Sequence, residues 1–230
     1  MQETYYLDNV YPFQDEVLKV IQNLNVDFYL TGGTVLSRCY LQHRYSDDLD
    51  FFVNNHPEFK PQCTKVIFLL KEFPWKCEVT TTSETFVRIM LEKDRIPMKI
   101  DLVNDVSFHY GNFEQSQIYH RIDNWRNILS NKLCALNRLE PKDIADILFI
   151  AKRYPFKWED IFTEAKEKDL WVEPLEVCKI IINFPVELFN SIKWSSAVNI
   201  NSIKIKEDLV KLHDDIFYGN ENCLCKYRDL

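Results

Sequence analysis

Glycine occurs only four times in 230 residues, and proline nine times. That scarcity argues against low-complexity or disordered segments. No apolar stretch reaches the length needed to span a membrane. The N-terminus, MQETYYLDNV, has no basic region followed by an apolar run, so it is not expected to be a signal peptide. No Cys-x-x-Cys pair is present: the seven cysteines are scattered singly, apart from Cys223-x-Cys225. An odd count without metal-type spacing predicts reduced thiols and a cytoplasmic protein. Cys223, Cys225 and His213 could be imagined around zinc, but two-ligand spacing alone is a weak signature. Positive charge is also in deficit. The formal net charge of −7 excludes a general polyanion binder, so a nucleic-acid partner would need a local basic patch. Neither a Walker lysine nor a Ser/His/Asp nucleophile signature is visible, and the five histidines show no metal spacing among themselves.

What the chain does have is apolar mass. It is 46% hydrophobic and 14% aromatic, enough for a substantial core. Apolar residues at Val17, Leu18, Ile21 and Leu24 predict an amphipathic helix over 14–24, and Val66, Ile67, Leu69 and Leu70 a second over 62–73. Runs at 75–82, 85–91 and 98–103 are rich in β-branched residues and predict strands, with Lys93-Asp94-Arg95 as the turn between the last two. From about Ile128 the periodicity becomes helical. Helices are expected over 128–139, 141–154 (with Pro141 as first residue), 158–168, 174–182 and 203–217. The expectation is an α+β protein: a mixed α/β core over residues 1–115, then a helical half over 116–230.

The most informative stretch is Thr31 to Phe52, TGGTVLSRCYLQHRYSDDLDFF. A short apolar strand at 27–30 leads into Gly32-Gly33, which permit a tight turn and close backbone approach. The helical run 34–41 then turns its free N–H groups and dipole toward any anion at that turn. Asp48 and Asp50 follow at i, i+2 in a strand, so both carboxylates share a face. Same-facing carboxylates repel unless a cation or proton lies between them, and hard oxygen ligands beside a phosphate cradle suit Mg²⁺. Asp47 faces the other way. Thr34 is a phosphate ligand or simply a helix N-cap. Arg44 and Ser46 lie just before the acidic strand, where a guanidinium grips a phosphate or neutralises the aspartates. Further on, Lys132, Arg138, Lys142, Asp143 and Asp146 form a charged set on two helices, which by spacing alone could be a solvated face.

A glycine pair followed about a dozen residues later by Asp-x-Asp resembles the DNA polymerase β-like nucleotidyltransferase superfamily. The fuller wording, TGGTxL…YLxHRxSxDLDFF, resembles its abortive-infection branch, the AbiEii/AbiGii-like toxins of toxin–antitoxin and phage-defence pairs. The resemblance implies a polymerase β-like core and a helical half that completes a nucleotide and acceptor cleft. It implies metal ligands at Asp48 and Asp50, and a third at Asp101, which stands between hydrophobic residues on the 98–103 strand. Gly32, Gly33, Thr34, Arg44, Ser46 and Lys132 would hold the nucleotide. Asp146 would act as an acid/base group, or orient Lys132 or Arg138. The implied cofactor is Mg²⁺ or Mn²⁺, with a nucleoside triphosphate (NTP) as substrate.

The leading expectation is therefore metal-dependent transfer of a nucleoside monophosphate (NMP) from an NTP to an acceptor hydroxyl. By resemblance the acceptor is RNA, in particular a tRNA 3′ end, and a cognate antitoxin is a partner. A basic groove of Lys132, Arg138, Lys142, Lys152 and Arg153 would have to offset the acidic background. The alternatives are the same chemistry on a small-molecule or protein acceptor, or a non-catalytic nucleotide-binding module.

Overall fold

The computed structural model describes residues 2–227. Two compact units are present: Met1–Tyr40 with Tyr45–Asn124, and Leu41–Arg44 with Trp125–Leu230.

The first unit is built on a five-stranded sheet in the order β1-β2-β5-β4-β3. The strands are β1 (Tyr29–Thr31), β2 (Leu49–Asn54), β3 (Lys76–Thr82), β4 (Phe86–Lys93) and β5 (Ile96–Asp105). β2 and β5 run parallel, while the other neighbours are antiparallel, so the sheet is mixed. Along β2, Leu49, Phe51 and Val53 are buried while Asp50, Phe52 and Asn54 stay partly open, the alternation of a strand with one face on the core. Ile100 and Leu102 of β5 pair with Leu49 and Phe51 in register, which continues that apolar face. Full burial of each such side chain contributes about 1.5–3 kcal/mol.

Helices α1 (Gln2–Tyr5), α2 (Tyr11–Gln22), α3 (Gly32–Val35) and α4 (Phe59–Lys71) complete the unit. The segment ahead of α2 is helical, whereas the apolar periodicity predicts a helix only from residue 14. Tyr6–Val10 is a π turn just before Pro12, with the Tyr11 N–H donating to the Tyr6 carbonyl. Pro12 has no N–H for the α pattern, and a wider turn relieves that. Asp94 and Arg95, at the β4–β5 hairpin, have φ of +52° and +65°. Two positive φ values are what a two-residue hairpin turn requires.

The second unit is helical: α5 (Trp125–Cys134), α6 (Pro141–Arg153), α7 (Trp158–Lys168), α8 (Pro174–Ile182) and α9 (Ser202–Phe217). Leu129, Leu133, Ile144, Ile147, Leu148, Trp158, Ile161 and Leu212 are all essentially fully buried in its core. The single helix expected over 128–139 is α5 followed by a 3₁₀ turn, Leu136–Arg138, which Leu139 ends at φ +55°. The sequence-based boundary falls at 115/116, and the units divide at 124/125. The intervening segment belongs to the sheet: Leu30 donates to the Arg121 carbonyl, and Asp123 donates to that of Leu30.

Candidate active site

The chemistry of the first unit gathers where β1, β2 and β5 lie side by side. Thr31 pairs with Asp50, and Asp50 pairs with Asp101 across the parallel β2–β5 ladder. Direct partners in a ladder share a face, so Asp101 stands on the same face as Asp50, and Asp48 continues that face two residues earlier. Gly32 abuts Asp50. A Cβ on Gly32 would lie 2.5 Å from Asp50 Oδ2, and its φ is +72°. Glycine is thus required twice over, for a left-handed backbone and for room beside a carboxylate.

Thr34 is fully buried, and its hydroxyl turns inward to the Asp48 carbonyl and the Ser46 Oγ. It ties the glycine turn to the entry of the acidic strand, and what remains for a ligand is its backbone N–H. Asp47 takes a hydrogen bond from the Tyr6 hydroxyl, away from the shared face.

Two cations that the motif reading did not assign to the site sit on these carboxylates. Lys99 Nζ lies 2.8 Å from Asp48 and 3.6 Å from Asp101. Burial disfavours its charge, but the hydrogen bond to Asp48 and the fields of Asp48, Asp101 and Asp50 outweigh that and raise its pKa. Arg88, directly opposite Asp101 in the β4–β5 register, grips both carboxylate oxygens at 2.8 and 2.9 Å. The Asp101 hydrogen bond raises the Arg88 pKa further.

Arg44, Lys132 and Asp146 fall in the second unit. There Asp146 is fully buried and serves as a hub. It takes both arms of Arg44 at 2.7 Å, His43 Nε2 at 2.8 Å and Lys132 Nζ at 2.7 Å. Lys132 also reaches Asp143 at 2.6 Å, and Arg138 closes on Asp143 at 2.8 Å. Desolvation alone would raise the Asp146 pKa, but Arg44, Lys132 and the hydrogen bonds from Arg44 and His43 hold it well below the carboxylate range. The Lys132 pKa is raised: desolvation opposes its charge, and Asp146 and Asp143 overcome it. Four donors thus surround the buried Asp146 carboxylate and hold it charged.

His43 faces the opposite pressure. Burial lowers its pKa, with Arg44 and Lys132 adding to the effect and Asp146 resisting it. Its Nε2 must donate to the carboxylate, which leaves Nδ1 a buried acceptor without a partner.

The expected basic groove is largely spent. Lys132 and Arg138 are bound as described, and Lys152 pairs with Asp208 at 2.7 Å. The imagined zinc set is also committed elsewhere. Cys225 Sγ donates to the Arg153 carbonyl, and His213 pairs with Asp214 and stacks on Phe217. Trp125, the first residue of α5, stacks on Tyr154 at 4.3 Å with the rings 1° apart.

As they stand, no three His, Cys, Asp or Glu side chains among the described residues form a ready metal cage. The donor set nevertheless suits a hard divalent ion. The carboxylates share one face, a glycine leaves room beside Asp50, and the Lys99 ammonium already bridges Asp48 and Asp101 as a cation would.

A mixed sheet carrying Gly-Gly-Thr, Asp-x-Asp and a partnering strand aspartate defines a nucleotidyltransferase of the polymerase β-like fold. The chain belongs to the AbiEii family: the model of the nucleotidyl transferase AbiEii toxin of type IV toxin–antitoxin systems matches residues 18–183. Its fold is similar to that of JHP933 from Helicobacter pylori, with 18% identity, a TM-score of 0.58 and 91% of each chain covered. It is equally similar to a provisionally assigned nucleotidyltransferase of H. pylori, with 18% identity, a TM-score of 0.58, and 95% of this chain and 98% of that one covered. No curated protein matches the chain by sequence.

Proposed function

We propose that this nucleotidyltransferase transfers NMP from an NTP to the 3′ hydroxyl of RNA, with a tRNA end as the preferred acceptor, and that divalent metal is required. The observation that carries the chemistry is the pairing of Asp50 with Asp101 on one face of β2 and β5, beside the Gly32 turn, with Asp48 just ahead of β2 joined to Asp101 through Lys99. These three carboxylates would hold Mg²⁺ or Mn²⁺. Bound there, the metal supplies neutralisation of the triphosphate and a lowered pKa for the acceptor hydroxyl. The backbone N–H groups of Gly32, Gly33 and Thr34 open a helical segment running to Leu41, and bind and orient the phosphates with its positive end. Ser46, hydrogen-bonded to Thr34, keeps that turn in place. Phosphoryl transfer is mainly positioning and charge stabilisation, so such a set is sufficient in kind.

In the second unit, Asp146 fixes Lys132 and Arg44, and the Lys132 side chain stays 11% exposed. A cognate antitoxin, on this reading, regulates the enzyme as the family name implies. The alternative acceptor, a protein or small-molecule hydroxyl, gains weight from one observation. Lys132, Arg138 and Lys152 are neutralised within their own unit, which leaves Lys142 and Arg153 to contact an RNA backbone.

The test is incubation with each labelled NTP, Mg²⁺, total RNA and cell protein. The proposal expects label on RNA 3′ ends, lost on metal chelation. Label on protein or on small molecules alone would select the alternative acceptor.

A further inference from the structure

We infer that Lys99 is a built-in counter-ion that competes with divalent metal for Asp48 and Asp101, so that the protein alone binds metal weakly and takes it up together with the NTP. The inference rests on the proposed metal role of these carboxylates.

The ammonium of Lys99 lies 2.8 Å from Asp48 and 3.6 Å from Asp101, the position of a bridging cation. Arg88 occupies both oxygens of Asp101. Asp48 and Asp101 therefore each have a resident positive partner before any metal arrives. Same-facing carboxylates normally attract a divalent ion because their repulsion is relieved by it. Here that relief is already supplied, and a metal entering alone must displace an ammonium and gains correspondingly less.

An NTP changes the balance. Its triphosphate brings several negative charges and its own oxygen ligands, so the metal arrives partly coordinated, and the displaced Lys99 gains a new anion to face. β5 carries Lys99 and Asp101 on the same face at i and i+2, so a change of side-chain rotamer suffices and no backbone shift is required. The Lys99 side chain is 26% exposed, which leaves it room to swing. The consequence is an order of events: metal and nucleotide enter as one species, and metal bound without nucleotide is suppressed.

The test is Mn²⁺ binding to purified protein without nucleotide, read from the electron paramagnetic resonance signal of free Mn²⁺. Lys99→Met should bind Mn²⁺ at least tenfold more tightly than the parent, and Lys99→Arg should remain weak. Adding Asp48→Asn to Lys99→Met should abolish the gain. A Lys99→Met affinity within twofold of the parent overturns the inference, as does a gain that survives Asp48→Asn. Should Lys99→Met not fold, Lys99→Gln is measured in its place with the same expectations. Because no nucleotide is present, the result is independent of transfer activity. A protein that shows the Lys99 effect yet labels no acceptor fails the proposed function while keeping this inference.

Discussion

At the scale of the residue, Gly32 is the position with least freedom. Its φ of +72° costs an alanine about 1–2 kcal/mol, and the added Cβ would meet Asp50 Oδ2 at 2.5 Å. Gly32→Ala is expected to lower both the unfolding midpoint in denaturant and NTP turnover, because Asp50 must move to admit the methyl group. Retention of full turnover would separate the turn from the chemistry. Lys132 is the second test. Removing it leaves Asp143 and Asp146 short of a buried counter-ion, so Lys132→Met should cost roughly 3–5 kcal/mol in equilibrium unfolding. Lys132→Arg keeps the charge and isolates the effect on turnover.

His43 predicts a pH dependence whose sign follows from its lowered pKa. Below the ordinary value of about 6.5, the unfolded chain takes up a proton that the folded ring resists. Stability should then fall as pH drops below about 6.5, with a slope approaching 1.4 kcal/mol per pH unit. His43→Gln, which retains a donor to Asp146, should flatten the slope between about pH 6.5 and pH 5 in chemical denaturation. Asp146, with its depressed pKa, adds its own loss only at lower pH, as acid falls below the usual carboxylate value toward the folded one. An unchanged slope in His43→Gln would mean that the ring is not the titrating group.

At the scale of the element, the acidic strand was legible because its signal is local. Alternation put Asp48 and Asp50 on one face, and the structure places Asp101 opposite Asp50 on β5. Arg88 was not legible, because its meeting with Asp101 depends on the β4–β5 register, which no short window specifies. The Asp146 hub was half legible. His43-Arg44 and Asp146 stood out as motif residues, but their contact bridges 102 positions of chain or more. The N-terminal helix went unseen because Pro12 and the π turn before it break the regular period. The β4–β5 hairpin offers a test of turn chemistry. Arg95 adopts φ +65°, a conformation glycine takes without strain. Arg95→Gly should therefore stabilise the protein by roughly 0.5–1 kcal/mol, read as a shifted denaturation midpoint. Destabilisation would show that the Arg95 side chain contributes more than its backbone costs.

At the scale of the whole molecule, the net charge of −7 constrains the acceptor. With Arg138 and Lys152 committed to Asp143 and Asp208, an RNA backbone would rely on Lys142 and Arg153. Transfer to RNA should then weaken with added salt, though gently, because few phosphates are neutralised. Lys142→Glu combined with Arg153→Glu should reduce RNA labelling while leaving nucleotide binding intact in a filter or fluorescence assay. Indifference to both salt and charge reversal would point to a protein or small-molecule acceptor.

The central claim is that the face shared by Asp48, Asp50 and Asp101 performs metal-dependent nucleotidyl transfer. The most direct measurement is pyrophosphate release from NTP with total RNA and Mg²⁺, comparing the parent with Asp50→Asn after circular dichroism has shown both to be folded. The account predicts release by the parent that stops on chelation, and loss of at least a hundredfold in the variant, on the scale of a transition-state electrostatic contact. Undiminished release by folded Asp50→Asn, or release that persists without metal, would contradict it.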